Sequence, residues 1–186
     1  MTLYEAFLFV HIALAIVWLG SGTLLQIIVS MATRAGDDEG VATLIGWTAV
    51  LGNRLFLPAS IGVVVMGFAL IGEGPWSFDQ LWIVLGLVGF IGTALTGALI
   101  MGPSSEKVAA LIERDGHMGP EAIAIARRML LLARIDAVAL WLVAFDMVVK
   151  PTGDDVAVLA AMALALVATA GLVVTRVREA ERIAAA

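Results

Sequence analysis

The chain has 186 residues, of which 61% are hydrophobic and 15% charged, with a mean hydropathy of +1.03; a soluble domain of this size is nearer half apolar and a quarter charged. Its apolar residues lie in runs long enough to cross a bilayer, which leaves no length for a separate soluble catalytic domain. The lack of cysteine excludes disulfides, thiolate metal sites, iron–sulfur clusters and cysteine nucleophiles, and a net charge of -5 without a basic arm speaks against nucleic acid.

The expected fold is all-α, one polytopic membrane bundle of five transmembrane helices. No charged residue occurs from Ala6 to Thr33, and this first span lacks the basic start and cleavage site of a signal peptide, so it is expected to stay in the mature protein. The spans are predicted at about 4–31, 55–72, 80–102, 129–149 and 156–175, all within one domain covering residues 1–186. Amphipathic cytoplasmic segments are predicted at about 40–52 and 104–128. Val41, Leu44, Ile45, Thr48 and Leu51 mark one helical face of the first, with Gly52 and Pro58 as places to bend. In the second, a short helix ends at Asp115-Gly116 and another starts after Gly119-Pro120.

Orientation follows from the basic residues, which are retained in the cytoplasm near span ends. Arg34 and Arg54 fall in the first loop, Lys107, Arg114, Arg127, Arg128 and Arg134 in the third, and Arg176, Arg178 and Arg182 in the tail; only Lys150 falls on the other side. Ten of the eleven cations therefore sit on one side. This predicts an outside N-terminus, a cytoplasmic C-terminus and a multi-pass protein of the bacterial inner membrane. Tyr4, Trp76 and Trp82 fall at the expected outer interface.

Ionisable groups inside a bilayer are costly unless paired or hydrated, so they are the first functional candidates. His11 is the one histidine in a span, and Met66, Met162, Asp146 and Met147 lie with it in the outer half. An imidazole and a thioether are the ligand pair of His/Met haem sites. His11 with Met66 or Met162 can hold haem iron, and Gly86, Gly89 and Gly92 on the third span can let a flat ring approach the backbone. A lone intramembrane histidine also serves as a hydrogen-bonding group between helices, glycines as close-packing surfaces and methionines as core filler. Asp146 and Lys150, four apart with the acid first, are expected to share a helical face, either as a local ion pair or as the start of a proton or cation relay. Asp136 is expected to pair across helices with Arg54 or with a polar group on another span. Walker, Rossmann, HExxH and G-x-S-x-G motifs are absent from the sequence.

Leu8-Phe9-Val10-His11 with Val17-Trp18-Leu19-Gly20, the stretch from Asn53 to Ala59, Met101-Gly102-Pro103 and the close Met147-Val148-Val149-Lys150-Pro151 together resemble the bacterial integral membrane proteins of domain-of-unknown-function family 2269. The likeness runs to about residue 152 and implies a fold more than an activity. More remotely, His11 followed by Trp18-Leu19-Gly20 is similar to the copper-resistance D and protoporphyrinogen oxidase J type membrane proteins. The latter likeness implies haem association with His11 as axial ligand, whereas the chain lacks the extramembrane methionine and histidine clusters of the copper proteins.

The leading expectation is thus a protein binding b-type haem or a related tetrapyrrole in the outer half of the bundle, with redox activity as its consequence. Two alternatives stand beside it: a non-enzymatic accessory or structural subunit of a membrane complex, and a small transporter using Asp146 and Lys150. The expected partners are the lipid bilayer and either a second copy or other membrane subunits.

Overall fold

The computed structural model describes residues 1–184, and these form helices joined by short turns, with no strand among the described residues. Helix α1 runs Leu3–Ala35, α2 Asp38–Leu51, α3 Leu57–Glu73, α4 Leu81–Thr96, α5 Gly102–Asp115, α6 Pro120–Val149 and α7 Val156–Ala184. The local causes are readable. Thr2 and Glu5 form a reciprocal capping box at the start of α1. At its end Gly36, at φ +70°, takes the left-handed conformation that a Cβ would oppose. The break between α5 and α6 uses Gly116 at φ +72° and then Pro120 in the first turn of α6.

Helices α2 and α3 are not separate pieces. A π-helical turn at Gly52–Phe56 joins them into one rod from Asp38 to Glu73, and a second such turn at Gly97–Met101 joins α4 and α5 into a rod from Leu81 to Asp115. Each turn begins at a glycine six residues before a proline, Gly52 before Pro58 and Gly97 before Pro103. A proline has no N–H for the carbonyl four residues back. The wider turns re-register the ladder: the Leu57 N–H donates to the Gly52 carbonyl and the Gly102 N–H to the Gly97 carbonyl.

Four helical rods are long and apolar enough to cross a membrane: Leu3–Ala35, Asp38–Glu73, Leu81–Asp115 and Val156–Glu179. The fifth rod, α6, has 30 residues, about 45 Å at the usual helical rise, but Arg134, Asp136 and Asp146 interrupt its apolar character. It is nevertheless the hub of the bundle, packing on α1, α4, α5 and α7.

Two kinds of packing divide the molecule. Where the end of α1 meets α2, α5 and the start of α6, Val29, Val41, Ile45, Val108, Leu111, Ala122, Ala126 and Met129 form a closed apolar core. Along the remaining helix lengths large apolar side chains such as Phe9, Ile16, Leu24, Val88, Leu99, Leu164 and Leu172 are exposed, the surface a lipid-facing bundle requires. The helices thus extend past the apolar belt into a small packed cap.

Candidate functional site

The opposite end of the bundle holds the most unusual polar group. Asp146, three residues before the end of α6, is 1% exposed, and neither carboxyl oxygen has a hydrogen-bond partner. The approach of α4 causes this burial. A Cβ placed on Gly86 would meet Met147 and lie 3.5 Å from Asp146 Oδ2, and one placed on Gly89 would meet Val143. Glycines on α4 therefore receive the α6 side chains at 143, 146 and 147. This differs from the expectation that Gly86 and Gly89 leave room for a flat cofactor: α6 already fills that room.

Lys150 does not pair with Asp146. Among the described residues no ion pair joins them. Lys150 instead ends α6 in the left-handed conformation, φ 53°, its N–H donating to the Asp146 carbonyl at 2.8 Å. That turn takes its side chain off the helical face that spacing four would give. The ammonium nitrogen lies 3.8 Å from the ring centroid of Trp76 and 5.3 Å from that of Trp82. The two indoles meet edge to face at 5.2 Å, and Trp76 Nε1 donates to the Tyr4 hydroxyl at 3.1 Å. Pro151 is fully buried. The Met147–Pro151 close thus sets its thioether against α4, its cation on two indoles, and buries its proline.

Gly74 makes this cluster possible. A Cβ there would come within 2.8 Å of both the Tyr4 and Trp76 rings and within 2.7 Å of the Leu70 carbonyl. By sequence alone Trp76 and Trp82 are interface aromatics; the signal for their further role is that Lys150 is the one cation in the loops they share.

His11 lies on a different seam, between α1 and α3. Its Nδ1 is 2.9 Å from the Val63 carbonyl, and since a carbonyl only accepts, Nδ1 carries the proton and neutral His11 presents Nε2 as an unprotonated imine nitrogen. Gly67, one turn along, faces the ring: a Cβ placed there would lie 3.5 Å from His11 Cε1, in ordinary van der Waals contact. Met66 is the neighbouring residue of α3, so His11 and Met66 share a helix pair. Met162 sits on α7, whose packing partner is α6. The residues of the expected haem set are thus spread over three helix pairs: His11 lies on the α1–α3 seam with Met66 on α3, Gly86 and Gly89 receive α6, and Met162 is on α7 beside α6.

Arg54 and Asp136 are likewise not brought together, since no ion pair among the described residues includes either. Arg54 is exposed at the π-helical turn and Asp136 is half-buried in mid-α6. No group of three or more metal-ligating histidines or carboxylates occurs among the described residues.

A family model described as "Predicted integral membrane protein (DUF2269)" matches residues 5–151, a stretch that includes the Asp146 seam, His11 and all of the aromatic cluster but Tyr4. No curated protein and no solved structure matches the chain.

Proposed function

The chain belongs to the DUF2269 family of predicted integral membrane proteins, and within that frame we propose that it is a multi-pass bacterial inner-membrane protein that exchanges protons through Asp146. Five helices cross the bilayer, the N-terminus outside and the C-terminus in the cytoplasm, as the one-sided distribution of cations supports. The observation carrying the functional reading is the Asp146 carboxyl, 1% exposed with both oxygens unpartnered. A carboxylate in that setting requires a proton or a cation to offset its burial. Lys150, held by Trp76, keeps its charge out of the seam while leaving it one helical turn away. The role is that of an acid near the outer surface that gains and releases a proton, the elementary step of a proton-coupled membrane carrier.

Difference infrared spectroscopy of the purified protein across a pH titration tests this. The wild type is expected to show a protonated-carboxyl band that rises and falls with pH and disappears in Asp146→Asn. A titrating band set unchanged by that substitution, in a folded variant, overturns the reading.

A second reading has its own support. The Val63 carbonyl fixes the His11 tautomer with Nε2 free, the arrangement that backbone-anchored axial histidines use. A b-type haem on the α1–α3 seam would take His11 as ligand, with Met66 on the adjoining helix, and would supply one-electron chemistry when bound. Membranes expressing the protein with added haem then yield a Soret band that His11→Ala abolishes; folded protein without visible absorbance removes this reading and leaves the first untouched.

A further inference from the structure

Between α1 and α6, toward the packed cap, lies a groove of about 320 Å³ lined by Thr23, Gln26, Ser30, Arg34 and Arg134 with the apolar Ile27 and Met31. The four polar residues of α1 recur at spacings of three and four, so they form one stripe on its face. At the stripe's outer end Trp141 of α6 donates through Nε1 to Thr23 Oγ1 at 3.2 Å, tying the two helices together above the groove. Such a stripe is out of place on a helix whose other outward residues, Leu24, Ile27, Ile28 and Met31, are exposed and apolar.

Lys107 has Glu121, Arg114 has Asp115 and Arg176 has Glu179 within ion-pair distance, whereas Arg34 and Arg134, like Arg54, Arg127 and Arg128, pair with no carboxylate among the described residues. What sets Arg34 and Arg134 apart is that both line this one groove. No acidic residue lines the groove. The larger cavity on the other side of Met31, about 650 Å³, is opposite in sign, with Asp37 and Glu39 in its wall.

We propose that the Arg34–Arg134 groove binds an anionic glycerophospholipid, its phosphate on the two guanidiniums and an acyl chain along Ile27 and Met31. Guanidinium forks match phosphate oxygens in a bidentate way, and basic pockets between membrane helices suit acidic headgroups. Gln26 and Ser30 add hydrogen-bonding groups that a phosphate or glycerol oxygen can use. A phosphodiester with two tails also explains why the polar lining and the exposed apolar residues share one groove. The leaflet is the cytoplasmic one if the topology above holds; binding itself does not depend on that topology or on Asp146.

The test uses the full-length protein, purified and stripped of lipid in a neutral detergent. Phosphatidylglycerol, phosphatidylcholine and inorganic phosphate are each titrated while bound lipid is followed by native mass spectrometry and the melting temperature is recorded. The proposal expects phosphatidylglycerol to bind at least tenfold tighter than phosphatidylcholine, to raise the melting temperature, and to lose that preference at high salt. Arg34→Gln and Arg134→Gln are each expected to reduce the preference, and their combination to remove it. Should the double variant fail to fold, the two single variants carry the test, with Arg54→Gln as a basic residue outside the groove that leaves binding unchanged. Equal affinity for the two lipids, a preference unaffected by both single variants, or binding of inorganic phosphate that excess phosphatidylglycerol does not displace would overturn it.

Discussion

The Lys150 ammonium sits on the face of the Trp76 ring, 3.8 Å from its centroid, and not on the carboxyl of Asp146 one helical turn away. A cation on an indole face gains about 0.5–2 kcal/mol depending on how dry the site is. Lys150→Met and Trp76→Leu should therefore be coupled in a double-mutant cycle by an energy within that range. Asp146→Asn and Lys150→Met should be additive to within about 0.5 kcal/mol, because their side chains do not meet. Denaturant unfolding in micelles measures both cycles; strong Asp146–Lys150 coupling with none between Lys150 and Trp76 would contradict the geometry.

That relationship marks where sequence reasoning stops. The helical class and the position of the breaks are legible because they depend on local properties: apolar runs measured against bilayer thickness, Gly116 and Pro120 as helix punctuation. An Asp146–Lys150 pair at spacing four requires α6 to continue through residue 150. A single left-handed residue ends it there, and spacing along a helix says nothing beyond its end. Gly86 and Gly89 were readable as a close-approach surface, but a lone helix pattern does not say which partner approaches, and Val143 and Met147 of α6 are that partner. The π-helical turns have a sequence trace in the two Gly-to-Pro spacings, of which the sequence suggests a bend only at Gly52 and Pro58.

Alanine substitutions along α4 should separate steric from conformational effects. Replacing a helical glycine by alanine gains about 1 kcal/mol in backbone terms, so Gly92→Ala, with nothing within 4 Å of its new methyl, should be neutral or stabilising. At Gly86 the obstructing atom is the terminal methyl of Met147, which can swing aside, so the change should stay within about 1 kcal/mol of wild type. Gly89→Ala meets the branched Val143, whose χ1 is stiff, and should cost about 1–3 kcal/mol as overpacking. Thermal or denaturant stability in one detergent checks the ranking; Gly89→Ala as stable as Gly92→Ala would show that α4 and α6 are not in that close register.

The proposed topology makes its own prediction. Reporter fusions after Gly74 and Thr152 should report the periplasm, and those after Gly116 and at the C-terminus the cytoplasm, because ten of the eleven basic residues fall on the latter side. The fusion after Thr152 is the discriminating one, since Arg134, Asp136 and Asp146 leave α6 outside the four rods that are apolar enough to cross by length and composition. A cytoplasmic signal there would mean that α6 does not cross and that the bundle is traversed four times.

Acid should loosen the turn that starts α7. Asp155, just before α7, accepts from the Thr152 N–H and hydroxyl, both at 2.8 Å, and these bonds, the backbone one first, hold its carboxyl below the ordinary aspartate value of 3.8. A carboxylate favoured in the folded state contributes stability above the unfolded value and loses it as pH falls through the lower folded one. The Thr152–Asp155 turn is therefore intact at neutral pH and at the ordinary aspartate value, and opens only in more acidic solution. The Thr152 amide resonance of isotope-labelled protein in micelles should accordingly follow an acid titration with its midpoint below 3.8, and that titration should vanish in Asp155→Asn. A midpoint at or above the ordinary value, or one that survives the substitution, would show that Asp155 does not hold the turn.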